Sequence, residues 1–140
     1  MINWEKFDEH LHGCGNALIL ELIGMFLSDY PGNISTLRKN VTERDFQGVD
    51  KIAHPLKTNF ATFGDMECAK LAFNLELMGK KQTDDNVQLA GVVDPDTWER
   101  FSSMAPIKMD NNMNEVLNQL VTESEKLIAV LEDYTKTHAS

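Results

Sequence analysis

Apolar side chains recur at intervals of three and four residues along most of this chain of 140 residues. That spacing restricts the fold more than any other feature of the sequence, because it gathers apolar side chains on one face of a helix. The clearest example lies between residues 45 and 63, where one face collects Val49, Ile52, Ala53, Leu56, Phe60 and Phe63. No segment shows the strict alternation of a half-buried strand. The sequence therefore predicts an all-α fold.

The first part of the chain is typical of a short helix followed by a long apolar one. Residues 4–12 form the short helix, and two glycines break the chain after it. Asn16 is then the expected N-cap of an apolar helix that runs to about residue 30. Pro31-Gly32 marks either a turn or a kink, and helical spacing continues through residues 34–41.

The remaining helices are separated by equally plain signals. The third helix is expected over residues 45–63, and Gly64-Asp65 ends it and starts a fourth helix that stops near Gly79. The last amphipathic helix is expected over residues 113–134. A long polar stretch, residues 80–112, separates the fourth helix from this last helix.

The polar stretch reads as an irregular insert with one short helix, "DPDTWERF", in which Asp94 is the cap and Pro95 the first helical residue. A chain of this length suits one domain with a real core. We therefore predict a single domain over residues 1–140. Its architecture is an antiparallel four-helix bundle with a short extra N-terminal helix and an insert at about 80–112.

The charge balance restricts the partners of the protein. The chain carries 13 Lys and Arg against 22 Asp and Glu, for a net charge of −9. Nucleic acid and anionic lipid both need a basic surface, so neither is an expected partner, and a protein partner fits better. The longest apolar run, residues 17–27, contains Glu21 and is too short to span a membrane. No secretory signal is readable, so we expect a cytoplasmic location with Cys14 and Cys68 reduced.

Two groups of side chains are candidates for chemistry. His10, His12 and Cys14 resemble metal ligands, but a closed site needs a fourth ligand that is not nearby, and loop residues are the favoured interpretation. His54 is the stronger candidate, because it points away from the apolar face of its helix and Lys57 and Thr58 follow one turn later. An imidazole beside a cation and a hydroxyl on one exposed patch can accept a phosphoryl group.

At these residues the chain resembles the histidine phosphotransfer (Hpt) domain family. The family motif is Ala-His-x-Leu-Lys-Gly with a later glycine that opens the next helix, and the chain has Ala53-His54-Pro55-Leu56-Lys57 and then Gly64. Asp45 and the segment "MFLSDYPGNISTLRKNV" also agree with the family pattern. The resemblance covers residues 3–79 and, by architecture, the last helix. Two departures are Thr58, where the family usually has glycine, and Pro55 inside the helix, where a kink is expected unless a local irregularity absorbs it.

The resemblance implies a phosphorelay intermediate rather than an enzyme. His54 would accept a phosphoryl group from a receiver domain of a hybrid histidine kinase and pass it to the aspartate of a response regulator. The implied protein is a monomer without an ATP site or cofactor of its own, and the Mg²⁺ would come from the receiver. Glu76 falls where the family has a residue that hydrogen-bonds the histidine ring, although an ordinary exposed glutamate is an equal interpretation. An adaptor that keeps the fold without being phosphorylated is the alternative.

The surface around His54 is expected to dock the receiver. It would include the helix that begins near Asn16 and the residues that flank His54 on the helical wheel. Those residues are Asp50, Lys51, Thr58, Ala61 and Thr62, with Gly64 at the later glycine position. A second apolar stripe on the fourth helix would dock a partner or lie beneath the insert. Its members are Met66, Ala69, Phe73 and Leu77.

Overall fold

The computed structural model of the chain describes residues 2–83 and 113–138. These residues form five helices: α1 (Trp4–His10), α2 (Asn16–Thr42), α3 (Phe46–Thr62), α4 (Met66–Thr83) and α5 (Met113–His138). The described part of the chain contains no strand, and the prediction of an all-α helical bundle is confirmed. Residues 84–112, which hold most of the predicted insert and its short helix, lie outside the described residues.

Side-chain caps start three of the helices where the sequence indicates. Asn3 accepts a hydrogen bond from the backbone N–H of Lys6 at 3.2 Å, which caps α1. Asp45 accepts from Gly48 at 3.1 Å and caps α3. The carboxylate of Asp65 accepts from the N–H of Cys68 at 3.1 Å. Each cap satisfies a backbone donor that the first helical turn leaves without a partner.

α2 decides between the alternatives left open at Pro31-Gly32 and differs from the prediction at its start. The chain makes no turn at Pro31 and stays helical to Thr42, because the buried stripe extends past the proline through Ile34 and Leu37. Its N-cap is Gly15 rather than Asn16. The Asn16 side chain instead donates to the carbonyl of His138 at 3.2 Å, and so joins the start of α2 to the end of α5.

The core lies between the four long helices. α3 packs most extensively against α4, α4 also contacts α5, and α2 contacts both α3 and α5. The largest fully buried side chains come from all four helices, and they include Ile23, Phe60, Phe73 and Leu127. A hydrogen bond between the hydroxyls of Tyr30 and Ser124 joins α2 to α5 inside this core.

α4 continues past its predicted end at Gly79 to Thr83. Gly79 lies inside the helix because α3 comes too close for a larger residue. A Cβ atom on Gly79 would lie 2.8 Å from the carbonyl oxygen of Phe46 and 3.2 Å from the N–H nitrogen of Asp50. The glycine therefore allows a close approach between the helices rather than ending one of them.

α1 closes the end of the bundle where α3 stops. The N–H of Asn3 donates to the carbonyl of Gly64 at 2.8 Å, and Phe7 is buried against Phe63 and Tyr134. Gly64 has a φ of 79°, and a Cβ there would lie 2.6 Å from the carbonyl oxygen of Asn3. The turn between α3 and α4 thus requires glycine for its backbone conformation and for the contact with α1. Within the described residues, no helix is both long and apolar enough to span a membrane.

Candidate functional site

His54 lies near the middle of α3, on the side of the helix that faces away from the core. The apolar stripe of α3 is buried through Val49, Ala53, Leu56 and Phe60, as the helical wheel predicts. The His54 side chain is 61% exposed. An imidazole in this position is open to another protein.

A buried carboxylate on α4 holds the imidazole. The Nδ1 atom of His54 lies 2.7 Å from Oε1 of Glu76, and the Glu76 side chain is only 1% exposed. An ionised carboxylate only accepts hydrogen bonds, so Nδ1 of a neutral ring must carry the proton. Nε2 then keeps its lone pair, and it has no hydrogen-bond partner among the residues that the structure describes. The geometry therefore presents the nucleophilic nitrogen to solvent.

Lys57 does not share the exposed patch with His54, contrary to the sequence prediction. Its side chain is 6% exposed, its Nζ atom lies 2.8 Å from Oε2 of Glu76, and it sits over the ring of Phe73. The wheel gave the right side of the helix, but it did not account for the packing of α4, which covers the lysine stem. The Lys57 Nζ atom is 3.5 Å from Nδ1 of His54, a nitrogen that already donates to Glu76. The contact between Lys57 Nζ and His54 Nδ1 is therefore electrostatic and not a hydrogen bond.

Lys80 extends the charged cluster toward Asp50. The Nζ atom of Lys80 lies 2.7 and 2.8 Å from the two carboxylate oxygens of Asp50, and 3.9 Å from Oε1 of Glu76. Asp50, predicted as a docking residue, is therefore engaged within the protein. Sequence reasoning missed Lys80, although it follows Glu76 by four residues on the same helix, the spacing at which oppositely charged side chains meet.

The other predicted docking residues divide into two groups. Lys51 and Thr58 are exposed, and Thr62 is half-buried. Ala61 and Gly64 are buried instead: the Ala61 carbonyl accepts from Nδ1 of His10 at 2.7 Å, and Gly64 lies beneath Asn3. The prediction that Ala61 and Gly64 lie on an exposed docking surface is wrong, because α1 covers this end of α3.

The two departures from the family motif leave α3 continuous. Pro55 is exposed inside the helix and has no N–H, so the carbonyl of Lys51 has no donor from that position. The hydroxyl of Thr58 donates to the carbonyl of His54 at 3.4 Å. Thr58 is thus bonded to its own helix beside the imidazole.

Two large apolar side chains of α2 are exposed. Leu18 and Met25 are the exposed large apolar side chains of that helix, at 46% and 57% exposure. Met25 also lines a groove of about 190 Å³ between α2 and α3, which reaches Asn59 and Thr62. The second apolar stripe of α4 is different, because Ala69, Phe73 and Leu77 are fully buried. That stripe is core and cannot dock a partner.

No group of three metal-binding side chains occurs within residues 2–80 and 113–138. His10 is instead committed to the carbonyl of Ala61. Cys14 and Cys68 are both free thiols. His12 is exposed and Cys14 is half-buried between α1 and α2.

A family model with the description "Hpt domain" matches residues 21–118 of the chain. The matched segment includes most of α2, the whole of α3 and α4, and the start of α5. Both His54 and Glu76 fall inside it. No curated protein and no solved structure matches the chain.

Proposed function

Because this chain belongs to the Hpt domain family, whose members carry phosphoryl groups between receiver domains and have no kinase activity, we propose that His54 is its phosphoacceptor. The donor is the aspartyl phosphate of a receiver domain in a hybrid histidine kinase. The acceptor is the aspartate of a response regulator. The protein acts as a monomer and remains a carrier throughout, since the phosphoryl group arrives and leaves on the same imidazole.

One observation carries the proposal: a buried carboxylate holds Nδ1 of an otherwise exposed imidazole. In the first transfer, the Nε2 lone pair of His54 forms a bond to phosphorus, and the bond between phosphorus and the aspartyl oxygen breaks. The electron pair of that bond leaves with the aspartate carboxylate, and no proton needs to move. The ring gains positive charge as the new bond forms. Glu76, at 2.7 Å from Nδ1, offsets that charge.

The structure supports a different role for Lys57 from the one expected at an exposed phosphate site. Its ammonium group pairs with Oε2 of Glu76, so it offsets the charge of the buried carboxylate and holds it in place. The Mg²⁺ and the acidic pocket that phosphoryl transfer requires would come from the receiver domain. The cytoplasmic location predicted from the sequence stays a prediction.

The receiver would dock on the exposed face that surrounds His54. Lys51 and Thr58 lie on this face of α3, and Met25 contributes exposed apolar surface from α2. The groove between α2 and α3 would take an apolar side chain of the receiver. Such a mixture of an apolar centre and a polar rim is typical of protein interfaces.

Transfer from radiolabelled, phosphorylated receiver domains to the full chain tests the proposal. The expected label is stable in base and labile in acid, as a phosphohistidine is, and it is absent from the His54→Gln variant. That variant should fold normally, since glutamine can still donate to Glu76 and exposed polar substitutions change stability by about 0.5 kcal/mol or less. The alternative function, an unphosphorylated adaptor, predicts receiver binding without any label.

A further inference from the structure

We propose that Asp50 and Lys80 are positioning residues that fix the orientation and tautomer of His54 through Glu76. The inference rests on the proposed function for its biological meaning only, since the tautomer can be measured without any phosphoryl group. Neither residue touches the imidazole. Both act on the carboxylate that does.

Asp50 and Lys80 form an ion pair between α3 and α4. Lys80 binds both carboxylate oxygens of Asp50, at 2.7 and 2.8 Å, although each side chain remains about a quarter exposed. Asp50 precedes His54 by one turn of α3, and Lys80 follows Glu76 by one turn of α4. The pair Asp50–Lys80 therefore crosses between the helices one turn from the pair His54–Glu76. Because Asp50 and Lys80 hold the two helices together at this point, they limit how far Glu76 can move away from His54.

The backbone reinforces this arrangement. Gly79 lets α4 approach the first half of α3 so closely that a Cβ would lie 3.2 Å from the N–H nitrogen of Asp50. Lys80 is the next residue, so the close approach delivers its ammonium group to Asp50. The ion pair is consequently placed by the main chain of two packed helices, which is how a precise site is held.

Charge also links Lys80 to Glu76. Glu76 is 1% exposed, and a carboxylate in such surroundings needs nearby positive charge. Lys57 lies at 2.8 Å on Oε2, whereas Lys80 lies at 3.9 Å on Oε1, the oxygen that faces His54. The formal charges of the four groups sum to zero while the imidazole is neutral. The groups are the carboxylates of Asp50 and Glu76 and the ammonium groups of Lys57 and Lys80. Lys80 thus offsets the charge on Oε1 and helps to direct that oxygen at Nδ1, and Asp50 keeps Lys80 there.

Nitrogen NMR of the imidazole of unphosphorylated full-length protein is the first measurement, at about pH 8.5, where an ordinary histidine is neutral. In the wild type, Nδ1 should give a protonated signal and Nε2 a lone-pair signal. Lys80→Met and Asp50→Asn should each bring the two signals closer together, because Oε1 of Glu76 is then held less firmly against Nδ1. Lys80→Arg, which keeps the cation, should preserve the wild-type separation. Unchanged signals in both Lys80→Met and Asp50→Asn would overturn the proposal.

A variant in which the two charges are exchanged distinguishes a positioning role of Asp50 and Lys80 from a purely structural link between α3 and α4. The double variant Asp50→Lys with Lys80→Asp restores an ion pair between α3 and α4, but it puts a carboxylate near Oε1 of Glu76. We expect its melting temperature to be close to that of the wild type, while the Nδ1 and Nε2 signals of His54 stay closer together than in the wild type. Recovery of both would show that the pair is a structural staple and would overturn the electrostatic role. Lys126→Met, which breaks the exposed pair of Lys126 with Glu123 on α5, is the matched control and should change neither readout.

The rate of phosphorylation by phosphoramidate, a small donor that needs no docking, completes the test. Lys80→Met should slow this reaction by about tenfold, the low end of what losing an outer partner of a functional side chain costs. A loss seen only with a receiver domain as donor would make Lys80 and Asp50 docking residues and contradict positioning. If His54 takes no phosphoryl group from any donor but the tautomer shifts still occur, the proposed function fails and the positioning role stands.

Discussion

At the scale of single residues, the most informative side chain is Lys57. The sequence places it beside His54, and the structure buries it against Phe73 with its ammonium group on Glu76. A buried ion pair adds little net stability over an apolar pair, but removing one partner leaves the other charge without compensation. Lys57 therefore contributes to the site through the carboxylate.

The consequence is a prediction about stability. Lys57→Met should lower the free energy of unfolding by about 3 kcal/mol, because Glu76 then loses its closest cation. The double variant Lys57→Met with Glu76→Leu should recover most of that loss. Urea unfolding measures both variants, with the exposed Lys126→Met as the control that changes little. A single variant as stable as the wild type would mean that the pair is not buried in solution.

Thr58 permits a second prediction at this scale. Its hydroxyl donates to the carbonyl of His54, and its exposed, β-branched side chain lies one turn after the imidazole on α3. Thr58→Gly should accelerate transfer from a receiver, since the family's usual glycine leaves more room, and should cost a few tenths of a kcal/mol of helix stability. Thr58→Ser removes the methyl group and keeps the hydroxyl, so it should also accelerate transfer. Slower transfer in the glycine variant and unchanged transfer in the serine variant would show that the hydroxyl binds the phosphoryl group.

At the scale of the elements, periodicity and caps were enough to find all five described helices. The bounds of α3 agree with the prediction to within one residue, because Asp45 and Gly64 are unambiguous signals at its two ends. The predicted end of the fourth helix at Gly79 is wrong and a turn remained open at Pro31, since local propensity favours a break at each. The stripe of α2 and the packing of α3 on α4 override that propensity, and neither tertiary contact can be read from a local window.

The same limit explains what the sequence missed at the site. The resemblance to the Hpt family supplied Glu76, whereas the burial of Lys57, Ala61 and Gly64 depends on where α4 and α1 lie. Lys80 was missed for a related reason, because the fourth helix was predicted to end near Gly79, just before it. A side chain assigned to a loop is not paired with one four residues earlier on a helix.

One substitution made at two glycines tests the packing of α3 on α4. Gly79→Ala should destabilise the protein by about 1–3 kcal/mol, because the new Cβ would lie 2.8 Å from the carbonyl oxygen of Phe46. Gly24→Ala is the matched control on α2, where a Cβ meets nothing within 4 Å, and should stabilise the protein by up to about 1 kcal/mol. Thermal unfolding of both variants gives the comparison. Shifts of the same sign would contradict the close contact.

At the scale of the whole molecule, two buried groups that ionise at high pH make the free energy of unfolding depend on pH in alkaline solution. Burial raises the pKa of the Tyr30 hydroxyl above its ordinary value of 10.0, and burial also raises the pKa of the Cys68 thiol above 9.0. Both groups therefore stay neutral in the folded protein at a pH where the unfolded chain ionises them. Their contribution to stability is complete below about pH 9 and decreases as the pH rises further.

Urea unfolding at several values between about pH 8 and pH 10.5 measures that response. The free energy of unfolding should fall by up to about 1.4 kcal/mol per pH unit for each of the two groups. The double variant Tyr30→Phe with Cys68→Ala should show a smaller slope, even though its stability is lower at every pH. An identical slope in the double variant would assign the alkaline response to other groups.

If Glu76 holds Nδ1 of His54, Nε2 is the atom that accepts the phosphoryl group. Phosphoramidate can phosphorylate the full chain without a partner, and combined phosphorus and nitrogen NMR then identifies which nitrogen carries phosphorus. We expect phosphorus on Nε2 of His54, with Nδ1 still protonated, and no phosphohistidine in the His54→Gln variant. Phosphorus on Nδ1 of His54, or on a histidine elsewhere in the chain, would show that Glu76 does not direct the transfer.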